Sequence, residues 1–504
     1  MHLRSFFSGS YSLRSLLPTA EVLDAEDVFI TGCTDDWRKV RPGDAFIALF
    51  DPAEEDRRPI ALAIQRGCAA VISDRLLSGL AVPVCLVSDL RRSFGQLIHQ
   101  LTGHPSRKFK IVGVGGNRER TTTACLIAGV LHAANQRIGV IGSLGCLDGR
   151  SVLPSKHVPP PADKLAELLV RMVKNHCSHV VLEISDQAMA EERLAGMTLN
   201  VVCVSDGREL PGPSAVHAGR AKQARLEKIF DYLKKDGLVV LNADNPYSQQ
   251  LLRRLDRPTL TVAVEAAAEI TATPLEQSLC EQTFLLTAGS ETVPVRTSLI
   301  GRDNIYNCLT AAAVGLSYGF ELTTVVRGLE SVAYVPGRLQ RIECGQPFGV
   351  FLDCVRSAHA LAKTLNTLRS LTAGRLICLL STESLSRKHA ARLPAVERYL
   401  DVAILTGSSP KKKASAMELR YLQQVFHRLN GVHAIPDRSA AMRFALSTAK
   451  AGDCVLICSD YRTAFRRAVG RVAATDDEEI VREWFFAHQF DTFANSVEGE
   501  KSIQ

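Results

Sequence analysis

The chain has 504 residues, of which 46% are apolar and 22% charged, a globular composition long enough for three or four domains rather than one core. Its formal charge of +7 is modest, and the basic clusters Lys411-Lys412-Lys413 and Arg466-Arg467 are short and lack interleaved aromatics, so nucleic acid is excluded as the expected partner. No stretch reaches the roughly 18 apolar residues of a membrane span, and the 14 cysteines are scattered rather than set at metal-ligand spacings. A soluble, cytoplasmic protein in a reducing compartment is expected.

Met1 to Ala20 carries Arg4, Arg14, several serines and no acid, but lacks the apolar core and small-residue cleavage site of a secretory signal. It reads as a first domain opening on a short helix. From there, apolar β-rich runs alternate with amphipathic stretches of helix length. The runs are Phe46 to Leu49, Ala70 to Ile72, Lys110 to Val114, Ile138 to Ile141, His179 to Ile184, Val201 to Ser205 and Leu238 to Asn242. That alternation predicts an α/β fold built from βαβ units around mainly parallel sheets.

Turn residues at Gly103-His104-Pro105-Ser106 and Val335-Pro336-Gly337-Arg338 divide the chain into three expected domains, 1–107, 108–335 and 336–504. Between Thr259 and Ile300 the pattern shortens to alternating runs, read as a small antiparallel appendage of the middle domain. Only the tail after Asn495 reads as disordered.

Within the middle segment, Lys110-Ile-Val-Gly-Val-Gly-Gly-Asn-Arg-Glu-Arg-Thr-Thr-Thr123 passes from an apolar strand through a glycine turn into a helix expected near Thr121. Backbone N–H groups at such a turn converge on an anion, which is how a P-loop cradles phosphate. A working loop ends Gly-Lys-Thr, whereas this chain has Glu119-Arg120-Thr121. Arginine keeps the charge of lysine but not its compact shape. A carboxylate from Glu119 near phosphate adds repulsion of about 4 kcal/mol at about 4 Å and an effective dielectric of about 20. Loss of the glycine is expected to strain the turn. Two readings stand here: a modified nucleotide site, or a strand-to-helix turn inherited from an NTPase and no longer used.

The pattern of the whole chain resembles the Mur ligases, most closely the UDP-N-acetylmuramoyl-tripeptide synthetases, from about residue 10 to 480. Asp36-Trp37-Arg38-Lys39-Val40-Arg41-Pro42-Gly43-Asp44 is similar to the family's Asp-Ser-Arg-x-Val-x-Pro-Gly-Asp stretch beside the uridine pocket, with Trp37 in place of serine. In the loop, Gly116, Thr121 and Thr122 match. Pro159-Pro160-Pro161 stands at a Thr-Thr-Pro motif and keeps only Pro161. Leu182-Glu183-Ile184-Ser185-Asp186-Gln187 resembles Met-Glu-Val-Ser-Ser-His, and Lys222 falls on the family's carbamylated lysine. Asn242-Ala243-Asp244-Asn245-Pro246, Gly301-Arg302-Asp303-Asn304-Ile305-Tyr306-Asn307 and Val335-Pro336-Gly337-Arg338 match motifs near nucleotide. Asp353-Cys354-Val355-Arg356 keeps an acid but loses a histidine, Ser408-Ser409-Pro410-Lys411 stands at the amino-acid-selecting motif, and Cys458-Ser459-Asp460-Tyr461-Arg462 replaces a Gly-Lys-Gly-His-Glu motif.

The resemblance implies a three-domain architecture: an N-terminal uridine-binding-like α/β domain, a central P-loop NTPase-like parallel-sheet domain and a C-terminal Rossmann-like domain. It implies ATP and Mg²⁺ as cofactors and a UDP-muramoyl peptide or related small molecule as ligand. It assigns Lys222 and Arg120 to catalysis, and Gly116, Thr121, Thr122, Asn304, Arg338 and Asp353 to nucleotide. Trp37, Arg38, Pro161 and Ser185 fall to substrate, and Thr121 and Glu183 to metal. Fold-defining turns persist while ligand-contacting side chains change in all three segments. The expected function is therefore a member with lost or much reduced catalysis and a binding or regulatory role, a protein partner included. The alternatives are a divergent active ligase that uses Arg120 to add an amino acid to a UDP-muramoyl peptide, and an NTPase unrelated to cell wall, which fits the loop but neither end of the chain.

Overall fold

The computed structural model describes residues 9–49, 57–116, 119–155, 157–205, 226–355, 357–382, 394–410, 413–424, 426–427, 429, 431–459 and 477–487. They form two compact units, one of residues 1–271 and 306–328, the other of residues 272–305 and 329–504. Among the described residues no helix is long and apolar enough to cross a membrane.

The first unit holds two larger sheets and a two-stranded one that pairs Tyr11–Ser12 with Phe29–Ile30. Near the start of the chain lie β1 (Glu21–Leu23), β2 (Gly32–Thr34), β3 (Asp44–Ile47), β4 (Ala70–Ser73) and β5 (Val84–Leu86), in the order β1-β5-β4-β3-β2. All neighbours run parallel except β1 against β5. Both faces of this sheet are covered, so β3 and β4 are apolar runs buried at every position rather than alternating. Helix α1 (Leu90–Leu101) is capped by Asp89, whose carboxylate accepts from the Arg92 N–H.

The larger sheet of this unit contains β6 (Lys110–Gly116), β7 (Ile138–Gly142), β8 (Gly145–Leu147), β9 (Val152–Leu153), β10 (His179–Glu183), β11 (Leu199–Ser205), β12 (Leu233–Asn242), β13 (Thr259–Ala263) and the first residues of β14 (Ile270–Gln277). The order is β9-β8-β7-β10-β6-β11-β12-β13-β14, and the ladder from β7 to β14 is parallel. Helices α2 (Arg120–Ala133) and α3 (Ala162–Lys174) follow β6 and the β8–β9 hairpin. A core of Ile111, Leu182, Val202, Val239 and their neighbours fills one side.

The shortened pattern after Thr259 is only partly antiparallel, which corrects the reading of that whole region as an antiparallel appendage. β13 and β14 continue the parallel ladder, Val262 opposite Ile270 and Ala263 opposite Thr271.

In the second unit, β15 (Gln282–Ala288) and β16 (Glu291–Thr297) make the antiparallel hairpin. This unit's sheet comprises β17 (Gln340–Arg341), β18 (Gly349–Asp353), β19 (Leu376–Ser381), β20 (Val402–Thr406), β21 (Gly431–Ala434) and β22 (Cys454–Cys458), ordered β17-β18-β22-β19-β20-β21 and parallel except for β17. Apolar layers cover both faces, one around Leu365, Leu380 and Leu405, the other around Ile377, Ile404 and Met442.

Candidate functional site

In an open parallel sheet the ligand crevice lies outside the carboxyl ends of the strands, where the order reverses. β6 is that strand here. Its last residue, Gly116, pairs with Ser205 at the end of β11, and Glu183 at the end of β10 pairs with Val114. Gly116 has φ +123°, and a Cβ there would overlap the Ser205 carbonyl oxygen, so the tight turn requires glycine.

From this turn α2 begins at Arg120, one residue before the expected start. Glu119 has φ −84° and ψ 4°, a backbone open to any residue. The anticipated strain from the lost glycine is therefore absent. Its carboxylate accepts a hydrogen bond from Asn307 Nδ2 at 2.9 Å, and Thr123 Oγ1 donates to Asn307 Oδ1 at 3.0 Å. The Arg120 guanidinium turns back and donates from Nη1 to the Gly116 carbonyl oxygen.

Thr121, Ser143 and Glu183 close a second network. Thr121 Oγ1 lies 2.8 Å from Ser143 Oγ and donates to Glu183 Oε2 at 3.1 Å. Ser143 donates to Glu183 Oε1 from its backbone N–H at 2.9 Å and from its hydroxyl at 3.2 Å. Gly142 makes room, since a Cβ there would stand 2.5 Å from Glu183 Oε1. Thr122 is buried in the first turn of α2. The backbone of this turn thus suits a phosphate group, but its side chains fit the terminal phosphates and a metal poorly. A cation between Thr121 and Glu183 would have to break their mutual bond, and no group of three or more His, Cys, Asp or Glu among the described residues could hold a metal.

Trp37, Arg38 and Pro161 come together in one cleft of about 490 Å³. Asp36 caps the short turn Trp37–Lys39 by accepting from the Arg38 N–H, which sets the indole and guanidinium side by side. Arg38 Cζ lies 4.9 Å from the Trp37 ring centre. Asp35, Asp163, Lys39 and Lys164 also line this space. Burial pushes the carboxyls of Asp35 and Asp163 above the usual range, and their mutual repulsion raises Asp163 further. Sequence reading missed both acids, because neither sits in a motif of its own. Ser185 serves elsewhere: its hydroxyl accepts from the Ala188 N–H at the start of a short helix, α4 (Asp186–Ala190).

Asp244, in a motif matched to nucleotide binding, accepts from the N–H groups of Val264, Glu265 and Ala266 and from the Tyr306 hydroxyl. Asn245 caps the helix Pro246–Leu252. Both side chains are occupied in holding turns.

In the second unit, Asn304 donates from Nδ2 to the Ile300 carbonyl at 2.8 Å in the first turn of α5 (Arg302–Ser317). Arg338 and Asp353 are neighbours. Burial raises the Asp353 carboxyl, while its hydrogen bond from Thr364 at 2.7 Å and the Arg338 charge pull it back. Lys222, Arg356, Lys411 and the part of the Cys458-to-Arg462 segment from 460 onward lie outside the described residues.

Two family descriptions match this chain. The Mur ligase middle domain covers residues 114–206 and 221–315, and the glutamate ligase domain of Mur ligases covers 337–461. The chain belongs to the Mur ligase family. It is 28% identical over 482 residues to the UDP-N-acetylmuramoyl-L-alanyl-D-glutamate–2,6-diaminopimelate ligase of Geobacillus thermodenitrificans, covering 94% of this chain and 98% of that one. Against the same ligase of Chlorobium phaeobacteroides it is 29% identical over 499 residues, covering 94% and 96%. A solved structure of a 2,6-diaminopimelate ligase of this kind superposes with a TM-score of 0.69 at 25% identity, covering 95% of this chain and all of that one. The fold is also that of a MurF ligase from Thermotoga maritima solved with ADP, at a TM-score of 0.60 and 16% identity over 90% of this chain and 96% of that one. The chain thus has a mixed α/β, parallel-sheet architecture that matches the Mur ligases.

Proposed function

We propose that this Mur ligase has lost, or nearly lost, nucleotide-driven amide synthesis and acts as a binding or regulatory member of cell-wall precursor metabolism. The relatives' names describe ligases that join 2,6-diaminopimelate to a UDP-muramoyl dipeptide. By that likeness the parent chemistry is ATP-driven activation of a carboxylate, with ATP and Mg²⁺ as cofactors. The reading keeps three functional segments, 1–107, 108–335 and 336–504.

One observation carries it. The only strong cation in the described part of the loop, Arg120, is spent on the loop's own Gly116 carbonyl, and a carboxylate stands beside it. Phosphoryl transfer depends almost wholly on positioned positive charge, so a loop that engages its cation internally and adds an acid gives up most of that stabilisation. Fold alone does not restore it.

The second reading, an active ligase on an altered substrate, draws support from the retained Thr121–Glu183 pair at 3.1 Å. Thermal unfolding with and without Mg-ATP separates the two, comparing the natural chain with a Glu119→Gly, Arg120→Lys double variant. The proposal expects a shift only in the double variant. A shift in the natural chain that Arg120→Ala abolishes, together with amide formation from a UDP-muramoyl dipeptide and a panel of amino acids, establishes the second reading instead.

A further inference from the structure

A second cavity, of about 310 Å³, is lined by α3 on one side and by the β8–β9 hairpin and the residues after it on the other. Pro161 and Lys164 line both this space and the cleft beside Trp37. Its helix wall is Lys164, Glu167, Leu168 and Arg171, positions i, i+3, i+4 and i+7 of one face, about 10 Å from end to end at about 1.5 Å per residue. Leu153 and Leu168 pack against the core of the parallel sheet and stay half-buried, so part of each is left to the cavity. Pro154 and Pro160 add apolar surface, and Cys146 adds a buried, neutral thiol, pushed up to about 11 by burial.

The two ends of this apolar strip differ in charge. At one end Lys164 bonds Glu167 at 2.7 Å, and since both line the cavity, both signs are offered there. At the other end Arg171 bonds Asp148 at 2.6 Å, with 30% of the arginine side chain exposed but only 2% of the aspartate. Asp148 is saturated: one oxygen accepts from the N–H groups of Arg150 and Ser151, and the other takes Nε and Nη2 of Arg171. Among the described residues Arg171 Nη1 makes no hydrogen bond. The guanidinium therefore shows the cavity a charged donor while its countercharge stays covered, and a carboxylate fits that end better than the Glu167 end.

We propose that this cavity binds a medium-chain carboxylate, its head on Arg171 and its hydrocarbon chain along Leu168, Leu153 and the prolines. The methylenes of Lys164 cover the far end of the chain. The site holds whether or not the phosphate loop takes nucleotide.

Isothermal titration of the full chain with octanoate, butanoate and octan-1-ol tests it. Octanoate binds at one site per chain. Butanoate binds at least about thirtyfold more weakly, because each buried methylene is worth roughly fourfold. Octan-1-ol binds about tenfold more weakly than octanoate, because it lacks the charge that Arg171 meets. Leu168→Glu, at a half-buried position, sets an acid in the apolar strip and abolishes octanoate binding, whereas Asp256→Asn, an exposed acid outside the cavity, leaves it unchanged. Arg171→Gln brings octanoate down to the level of the alcohol. If that variant loses its fold by circular dichroism because Asp148 is left unpaired, Leu168→Glu and the ratio of octanoate to octan-1-ol decide the matter. Absence of octanoate binding overturns the proposal, as do equal affinities for octanoate and octan-1-ol, or octanoate binding that survives Leu168→Glu.

Discussion

Asn307 Nδ2 donates to Glu119 Oε2 at 2.9 Å while its Oδ1 accepts from Thr123 at 3.0 Å, so one amide ties the altered loop residue to a helix almost two hundred residues further along. Asn307 and Thr123 are both buried. Replacing Asn307 by alanine removes both amide bonds, although the Thr123 hydroxyl keeps its bond to the Glu119 carbonyl at 2.8 Å. We expect a loss of about 1–2 kcal/mol, the usual worth of such bonds, read as a lower urea midpoint. Asn307→Asp puts a second carboxylate against Glu119 and lowers the midpoint further. If Glu119→Gln then recovers most of the loss in the aspartate background, the contact is confirmed as the cause. An unchanged midpoint in both single variants refutes it.

The carboxylate of Glu183 accepts three donors from Ser143 and Thr121 at 2.9 to 3.2 Å and is only 4% exposed. A glutamine has one oxygen and turns an N–H₂ toward donors that already point inward. Glu183→Gln should therefore destabilise the chain by about 1–3 kcal/mol even without any metal or nucleotide present. A thermal scan in chelator decides the matter. Were the glutamate chiefly a metal ligand, the chelated variant would unfold with the natural chain.

Much of this arrangement was legible from residue patterns, for identifiable reasons. Strands such as Ala70–Ser73 and His179–Glu183 are buried at every position, and a continuous β-branched run between turns says so directly. Trp37, Arg38 and Pro161, which the family resemblance assigned to substrate together with Ser185, line one cleft, a long-range link that spacing alone does not carry. β14 is buried only at Ile270 and Ala272, and the exposed run that follows carries no pattern that gives its direction. Ser143 could not be found at all: a lone serine after a strand carries no signal until Glu183 is beside it.

His99 supplies a pH signature. It is fully buried in α1, neither ring nitrogen has a hydrogen-bond partner among the described residues, and burial depresses its pKa to about 4, with the nearby His104 adding to the effect. The unfolded chain takes up a proton near pH 6.5 whereas the folded chain resists until about 4. Between those values the unfolded state binds more protons, so stability falls as pH falls, by roughly 3 kcal/mol in all, and changes no further from this group below pH 4. Urea midpoints measured across that window should show the slope. His99→Phe, which keeps a ring without the titrating nitrogens, should flatten it, and an equal slope in that variant assigns the effect to other groups.

Arg438 is fully buried at the start of a helix, α6 (Arg438–Thr448), within the second unit, and its guanidinium makes a forked contact with Asp477 at 2.7 and 2.8 Å. Its remaining donors reach the carbonyls of Gly407 and Cys458, just beyond β20 and at the end of β22, and Ser459 adds a hydroxyl to the same carboxylate. That charge and these donors hold the Asp477 carboxyl below the ordinary range against the opposing effect of burial. One cation therefore fixes two strand ends at the carboxyl edge of the sheet. Removing only one partner leaves the other charged and dry, so Arg438→Ala or Asp477→Ala should each cost about 3–5 kcal/mol. An Arg438→Met, Asp477→Leu double variant removes both charges and fills the space, and should recover much of that loss because neither ion then has to be desolvated. Additive losses in the double variant would mean that the two side chains act separately, and that the strand ends are held by the backbone alone.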